Sequence, residues 1–219
     1  MITVRPLFAS ALCLALSLGA SFTPILPVAP ALAATAPLSP ADQALVDQAT
    51  AYLQGLKTVT GHFTQVSANG ATSTGTFYMQ RPGKARFQYD PPAQMVVVSD
   101  GYNVSVVDMR LKTHDQYPLG RTPLVILLAR QVRLDRGVVV TQVDQTADGF
   151  AITARDGRKE ASGRITLDFG KDPVALRGWS VIDAQGRETR VSLGALAPVS
   201  DLDPNLFVIQ DDRVRSGRP

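Results

Sequence analysis

The chain has 219 residues, 22 Lys and Arg against 19 Asp and Glu, a net charge of +3 and one cysteine. A charge this near balance, with no Lys/Arg block interleaved with aromatics, argues against nucleic acid as a partner. One cysteine excludes an intramolecular disulfide, and the length suffices for a single domain whose core needs neither bridge nor metal.

The N-terminus reads as a targeting segment. Arg5 supplies a positive n-region, Leu7 to Leu18 an apolar h-region of secretory length, and Ala31-Leu32-Ala33 an A-x-A cleavage site. Pro24, Pro27 and Pro30 break the stretch too soon for a membrane-spanning helix. We therefore expect a signal peptide over residues 1–33 and one mature domain over residues 34–219. Cys13 lies inside the h-region as a small apolar residue, so the mature domain would contain no cysteine.

A helix opens the mature domain. Ser39 is placed to cap it, Pro40 suits its first position, and Leu45, Val46, Ala49, Tyr52, Leu53 and Leu56 recur at helical spacing. From Val59 the period becomes two. Gly61 to Ala68 and Ala71 to Arg81 read as strands around Asn69-Gly70, a type I′ hairpin pair. Ala85, Phe87 and Tyr89 alternate with Arg86 and Gln88, so the next strand is apolar on one side. Met95 to Val98 is apolar throughout and reads as more deeply buried. Asp100-Gly101 then turns into Tyr102, Val104 and Val106.

Thr122 as cap and Pro123 at the first position predict a short apolar helix through Leu124, Val125, Leu127 and Leu128, although its β-branched residues also suit a strand. Five more strands follow: Gly137 to Thr146, Gly149 to Ala154, Arg164 to Phe169, Leu176 to Asp183 and Arg187 to Leu196. The pattern is one helix, about six strands, a short helix and about five strands. The implied fold is mainly β with helices: an antiparallel sheet of about eleven strands that must curl into a barrel or half-barrel, its apolar face covered by the two helices.

Little here resembles catalysis. His62 and His114 are the only histidines, and neither has a second metal ligand at zinc-like spacing. There is no G-x-S-x-G elbow and no nucleophilic cysteine in the mature region. We expect no enzyme activity, no metal and no cofactor. An esterase with a histidine base is the rival of a different class.

The ordered motifs Gly61-x-Phe63-x-Gln65, Gly75-x-Phe77-x-x-x-Arg81-Pro82, Arg86-Phe87-x-Tyr89-x-x-Pro92, Val98-Ser99-Asp100-Gly101, Thr122-Pro123-Leu124 through Leu128-Ala129-Arg130, Asp183-x-x-Gly186 and Phe207-x-Ile209 run through the mature chain. Behind a signal peptide, this set resembles the periplasmic outer-membrane lipoprotein carrier family, LolA. The resemblance implies an incomplete antiparallel β-barrel of eleven strands with a helical lid over an apolar cavity for acyl chains. It also implies a soluble periplasmic carrier, with acylated lipoproteins as cargo, an inner-membrane ABC lipoprotein exporter as donor and an outer-membrane lipoprotein acceptor. We expect a monomer.

By the same resemblance, Arg81 would latch the lid. Leu124, Val125, Leu127 and Leu128 would form the lid, with the three leucines filling the empty cavity. Phe63, Phe77, Met79, Phe87, Tyr89, Val104, Val106 and Trp179 are the candidate cavity lining. Periodicity does not separate cavity lining from plain core, nor a latch from an ordinary charged strand end. Ser105 and Val107 stand where large aromatics are common in the family, which bears on cavity size. A carrier or sensor of another lipid, on the same half-barrel, is the alternative function.

Overall fold

The computed structural model describes residues 37–134, 137–157 and 163–209. The signal peptide assigned to residues 1–33, with its cleavage site, lies outside the described residues. Helix α1 (Pro40–Gly55) comes first. Six strands follow: β1 (Thr58–Val66), β2 (Thr72–Gln80), β3 (Lys84–Tyr89), β4 (Met95–Asp100), β5 (Asn103–Asp108) and β6 (Thr113–Pro118). A 3₁₀ turn at Leu119–Arg121 leads into α2 (Leu124–Leu128). Then come β7 (Val138–Gln145), β8 (Gly149–Asp156), β9 (Arg164–Lys171), β10 (Val174–Ile182), β11 (Glu188–Leu193), the short β12 (Ala197–Pro198) and a 3₁₀ turn at Pro204–Phe207.

All strands join one antiparallel sheet in the order β6-β5-β4-β3-β2-β1-β11-β10-β9-β8-β7, with β12 beside the start of β1. The pairing of β1 with β11 sews the two runs of strands together. β6 and β7 remain as the two ends, so the sheet is open, an incomplete barrel as expected.

Local chemistry explains most boundaries. Ser39 caps α1, its hydroxyl oxygen accepting from the Asp42 amide at 3.1 Å, and Pro40 takes the first turn. α1 buries Val46, Ala49 and Leu53 on one face. The β1–β2 turn differs from expectation. Gly70 N–H donates to the Ser67 carbonyl, Asn69 Oδ1 accepts from the Ala71 amide, and only Gly70 has positive φ. A type I′ turn needs both central residues there, so this is instead the longer hairpin in which a left-handed glycine follows the turn. Thr122 does not cap α2 either. Its hydroxyl donates to the Leu119 carbonyl at 2.9 Å and closes the preceding 3₁₀ turn.

One face of the sheet carries the main core. Phe63 and Phe77 alternate inward with Met79, Phe87 and Tyr89, and α1 and α2 pack over them with Leu53, Leu127 and Leu128. Gly75 stands opposite Phe63 in the β1–β2 register, and a Cβ there would lie 2.7 Å from the Phe63 ring. The glycine is what lets that ring lie across the strand. The opposite face is covered in part: Val96, Val98 and Val107 pack with Phe207 from the last 3₁₀ turn. Arg86 holds that turn by donating to the Leu206 carbonyl at 3.0 Å. The continuous apolar run Met95–Val98 is thus explained, because β4 is covered on both faces.

Candidate functional site

The chain leaves β2 through Arg81-Pro82-Gly83, and these residues meet both helix ends. The Arg81 guanidinium donates to the Ala129 carbonyl through Nε at 3.2 Å and through Nη2 at 2.7 Å. Nη1 donates to the carbonyls of Leu53 and Leu56, the latter at 3.3 Å. One cation therefore joins the C-terminal end of α1 to the C-terminal end of α2. Carbonyls at helix ends lack partners within the helix and favour a positive charge. Burial draws the Arg81 pKa below its ordinary value, yet an arginine stays charged. Gly83, at positive φ, adds an N–H bond of 2.8 Å to the Leu128 carbonyl.

A second fastening was not expected from the sequence. Gln54, near the end of α1, accepts at Oε1 from the Val132 amide at 2.8 Å. Its Nε2 donates to the Arg130 carbonyl at 3.4 Å. Val132 and Leu134, just beyond α2, are also buried. The segment after α2 is thus tied down as well as α2 itself.

Of the lid residues named from sequence, Leu127 and Leu128 are fully buried, while Leu124 and Val125 are half-buried against the same core. Ile126, in the same apolar segment but not among the expected lid residues, is buried with them. Burying a leucine contributes about 1.5–3 kcal/mol, so two of them are a strong hold on a five-residue helix.

The candidate cavity-lining residues come together, but as a packed centre. Phe63 meets Phe87 and Tyr89 edge-on, at ring distances of 5.4 and 5.0 Å. Phe77 lies 4.8 Å from Phe87 and 6.1 Å from Trp179. Met79 and Val104 belong to the same buried cluster, whereas Val106 is only half-buried. The Tyr89 hydroxyl donates to Gln65 at 2.7 Å, and burial pushes its pKa up to about 12. With α1 and α2 packed over them, these side chains fill the space they were expected to line.

Two cavities lie away from that centre. One, of about 380 Å³, is between α2 and the adjoining ends of β7, β8 and β9. The other, of about 510 Å³, is on the opposite face, beside Val96, Val107 and Leu206. Ser105 and Val107 pair with Val98 and Val96 and face that opposite side. Their small size therefore has no bearing on the space under the helices, contrary to expectation. His62 and His114 are both exposed. Among the described residues no three His, Cys, Asp or Glu side chains gather as metal ligands, and no helix is long and apolar enough to cross a membrane.

An open antiparallel sheet with an apolar face, roofed by two helices that one half-buried arginine fastens, defines a class of half-barrel proteins with a helical lid. Residues 54–210 match the family model described as outer membrane lipoprotein carrier protein LolA, and the chain belongs to that family. A Cupriavidus taiwanensis protein named outer-membrane lipoprotein carrier protein is 33% identical over 81% of this chain and 89% of its own length. One of the same name from Bordetella pertussis is 31% identical, over 79% of this chain and 81% of its own. Among solved structures, a LolA superfamily protein from Nitrosomonas europaea aligns over 76% of this chain and 97% of its own, with 9% identity and a TM-score of 0.43.

Proposed function

We propose that this protein is a periplasmic, non-catalytic carrier that shields the acyl chains of lipoproteins between sheet and lid and moves them from the inner to the outer membrane. Residues 1–33 would direct export and be removed, leaving a soluble one-domain monomer over residues 34–219. An inner-membrane ABC exporter would load it, and an outer-membrane acceptor would relieve it of cargo. The observation that carries this reading is the set of Arg81 bonds to Leu53, Leu56 and Ala129, which ties both helices over the apolar face.

The energetics give that set a purpose. Each exposed CH₂ costs about 0.8 kcal/mol, so one acyl chain in water costs on the order of 10 kcal/mol. A container that recovers all of this never lets go. Here Phe77, Phe87, Leu127 and Leu128 fill the interior beneath the helices. Cargo must displace that packing and break the Arg81 bonds, and both are regained on release. Arg81 lowers the energy of the closed form, and so weakens net cargo binding without touching the acyl chains.

The test is Arg81→Leu. Hydrogen bonds to a charged group are worth about 1.5–3 kcal/mol, so the variant should load normally and hold cargo roughly 10–100-fold more tightly against transfer. The measurement is release of a lipoprotein from inner-membrane vesicles, followed by its handover to an acceptor. Loading and discharge at wild-type rates would remove Arg81 from the mechanism.

A further inference from the structure

The turn between β1 and β2 holds chemistry that the carrier function does not use. Asn69 and Gly70 are both exposed at its tip. Asn69 Oδ1 accepts from the Ala71 amide at 3.0 Å. An asparagine oxygen held by the residue two places on draws its carboxamide over the peptide between them. Asn69 Cγ is thereby brought toward the Gly70 nitrogen. A Cβ built on Gly70 would meet nothing within 4 Å, so the approach is not crowded.

That arrangement suits one reaction. The Gly70 N–H gives its proton to hydroxide, and the nitrogen attacks Asn69 Cγ. Negative charge then develops on Oδ1, where the Ala71 N–H already donates, as an oxyanion-hole donor does. The Cγ–Nδ2 bond breaks, and Nδ2 takes a proton from water and leaves as ammonia. The resulting cyclic imide joins the Gly70 nitrogen to both carbonyl carbons of residue 69. Water opens it at either one: breaking the bond to Cγ leaves aspartate, and breaking the main-chain bond leaves isoaspartate. The two other asparagines are placed differently. Asn103 is half-buried in β5 and precedes Val104. Asn205 precedes Leu206, whose N–H donates to the Asp203 carbonyl at 3.0 Å, and its own Nδ2 donates to Asp203 Oδ1 at 2.9 Å.

We infer that Asn69 is a site of spontaneous covalent modification, where attack by the Gly70 nitrogen and hydrolysis by water replace the amide with a carboxylate. One restraint opposes it. The Gly70 N–H donates to the Ser67 carbonyl at 2.8 Å and must be freed before it can lose its proton. That bond lies at an exposed hairpin tip, where local opening is least costly. The product carries a new negative charge between β1 and β2. As isoaspartate it also lengthens the main chain of the turn by one carbon. Arg81 follows β2 at its other end, so the reaction needs nothing from the lid or from the carrier function.

Incubation of the purified protein at mildly alkaline pH, followed by peptide mapping with electron-transfer fragmentation, tests it. The same protein unfolded in urea supplies the reference rate. Asn69 of the folded protein should convert within about tenfold of that reference, because one neutral hydrogen bond is a weak restraint. Isoaspartate should be among its products. Asn103 and Asn205 of the folded protein should convert more slowly than Asn69 by about tenfold or more. A folded-state rate at Asn69 further below the reference would show that the turn protects the site, and would overturn the inference. Equal conversion at all three asparagines, or aspartate with no isoaspartate, would overturn it too. Each of these outcomes leaves the carrier reading standing.

Discussion

The two ends of the space under the helices are built differently. At the β1–β3 end, Phe63, Phe77, Phe87, Tyr89 and Trp179 interlock, and Arg81 and Gly83 bond the helix ends to the strand exit. At the β7–β9 end, Ala154 and Ile165 face a cavity, and arginines stand around it. The same short helix bridges both. Under the proposed function, this difference would let a lid be both closed and removable. Bulky rings and charge-assisted bonds would define the closed position at one end, while the cavity at the other would leave somewhere for a chain to enter.

The harshest way to break this contrast is to remove a ring from the packed end. Phe77 is 1% exposed and touches two other rings. Phe77→Ala should cost about 3–5 kcal/mol of stability by denaturant titration, the range for a rigid core that cannot collapse around the gap. A loss below about 2 kcal/mol would mean that this end is as yielding as the other. A sharper test makes one change at both ends. Ala85 and Ala154 are 2% and 0% exposed, so burial does not distinguish them. Ala85→Leu must force atoms into a filled region and should cost about 1–3 kcal/mol. Ala154 is on the wall of the cavity, so Ala154→Leu should cost less than Ala85→Leu does. Equal losses at both positions would show that the cavity is not usable space.

The sequence carried the packed end far better than the unfilled one. Alternation placed Phe63, Phe77, Phe87 and Tyr89 on one face because the strand period is fixed by backbone geometry. That these residues touch one another rather than surround a void depends on how far the helices descend, which no periodicity encodes. β6 had no distinct signal. Its residues, Thr113–Pro118, are exposed along their whole length, and pairing with β5 makes them a strand. Arg81 stood out beside Pro82, and its bond to the α2 end was expected. Its bonds to the end of α1 were not, because the acceptors are the main-chain carbonyls of Leu53 and Leu56. Every residue has a carbonyl, so such partners leave no trace in composition. The arginines of the cavity were equally silent, since they come from the turn before α2, the segment after it, β8 and β9.

Gln54 offers the gentlest test, because it fastens the segment that follows α2 without touching either end of the interior. Its amide bridges the Val132 N–H and the Arg130 carbonyl. Gln54→Ala should cost about 0.5–1.5 kcal/mol, the usual net worth of such bonds. Global stability alone would not separate a lid fastening from an ordinary surface bond, so the readout must be local. The Gly83 amide bonds only to the Leu128 carbonyl at the end of α2, whereas the Phe77 amide belongs to the β2 ladder. If Gln54 helps to keep the lid down, its loss should speed hydrogen exchange at Gly83 by about fivefold, with little change at Phe77. Equal acceleration at both amides would make Gln54 a contributor to general stability. No acceleration at Gly83 would mean that α2 is held by Arg81 and its buried leucines without help from the chain beyond it.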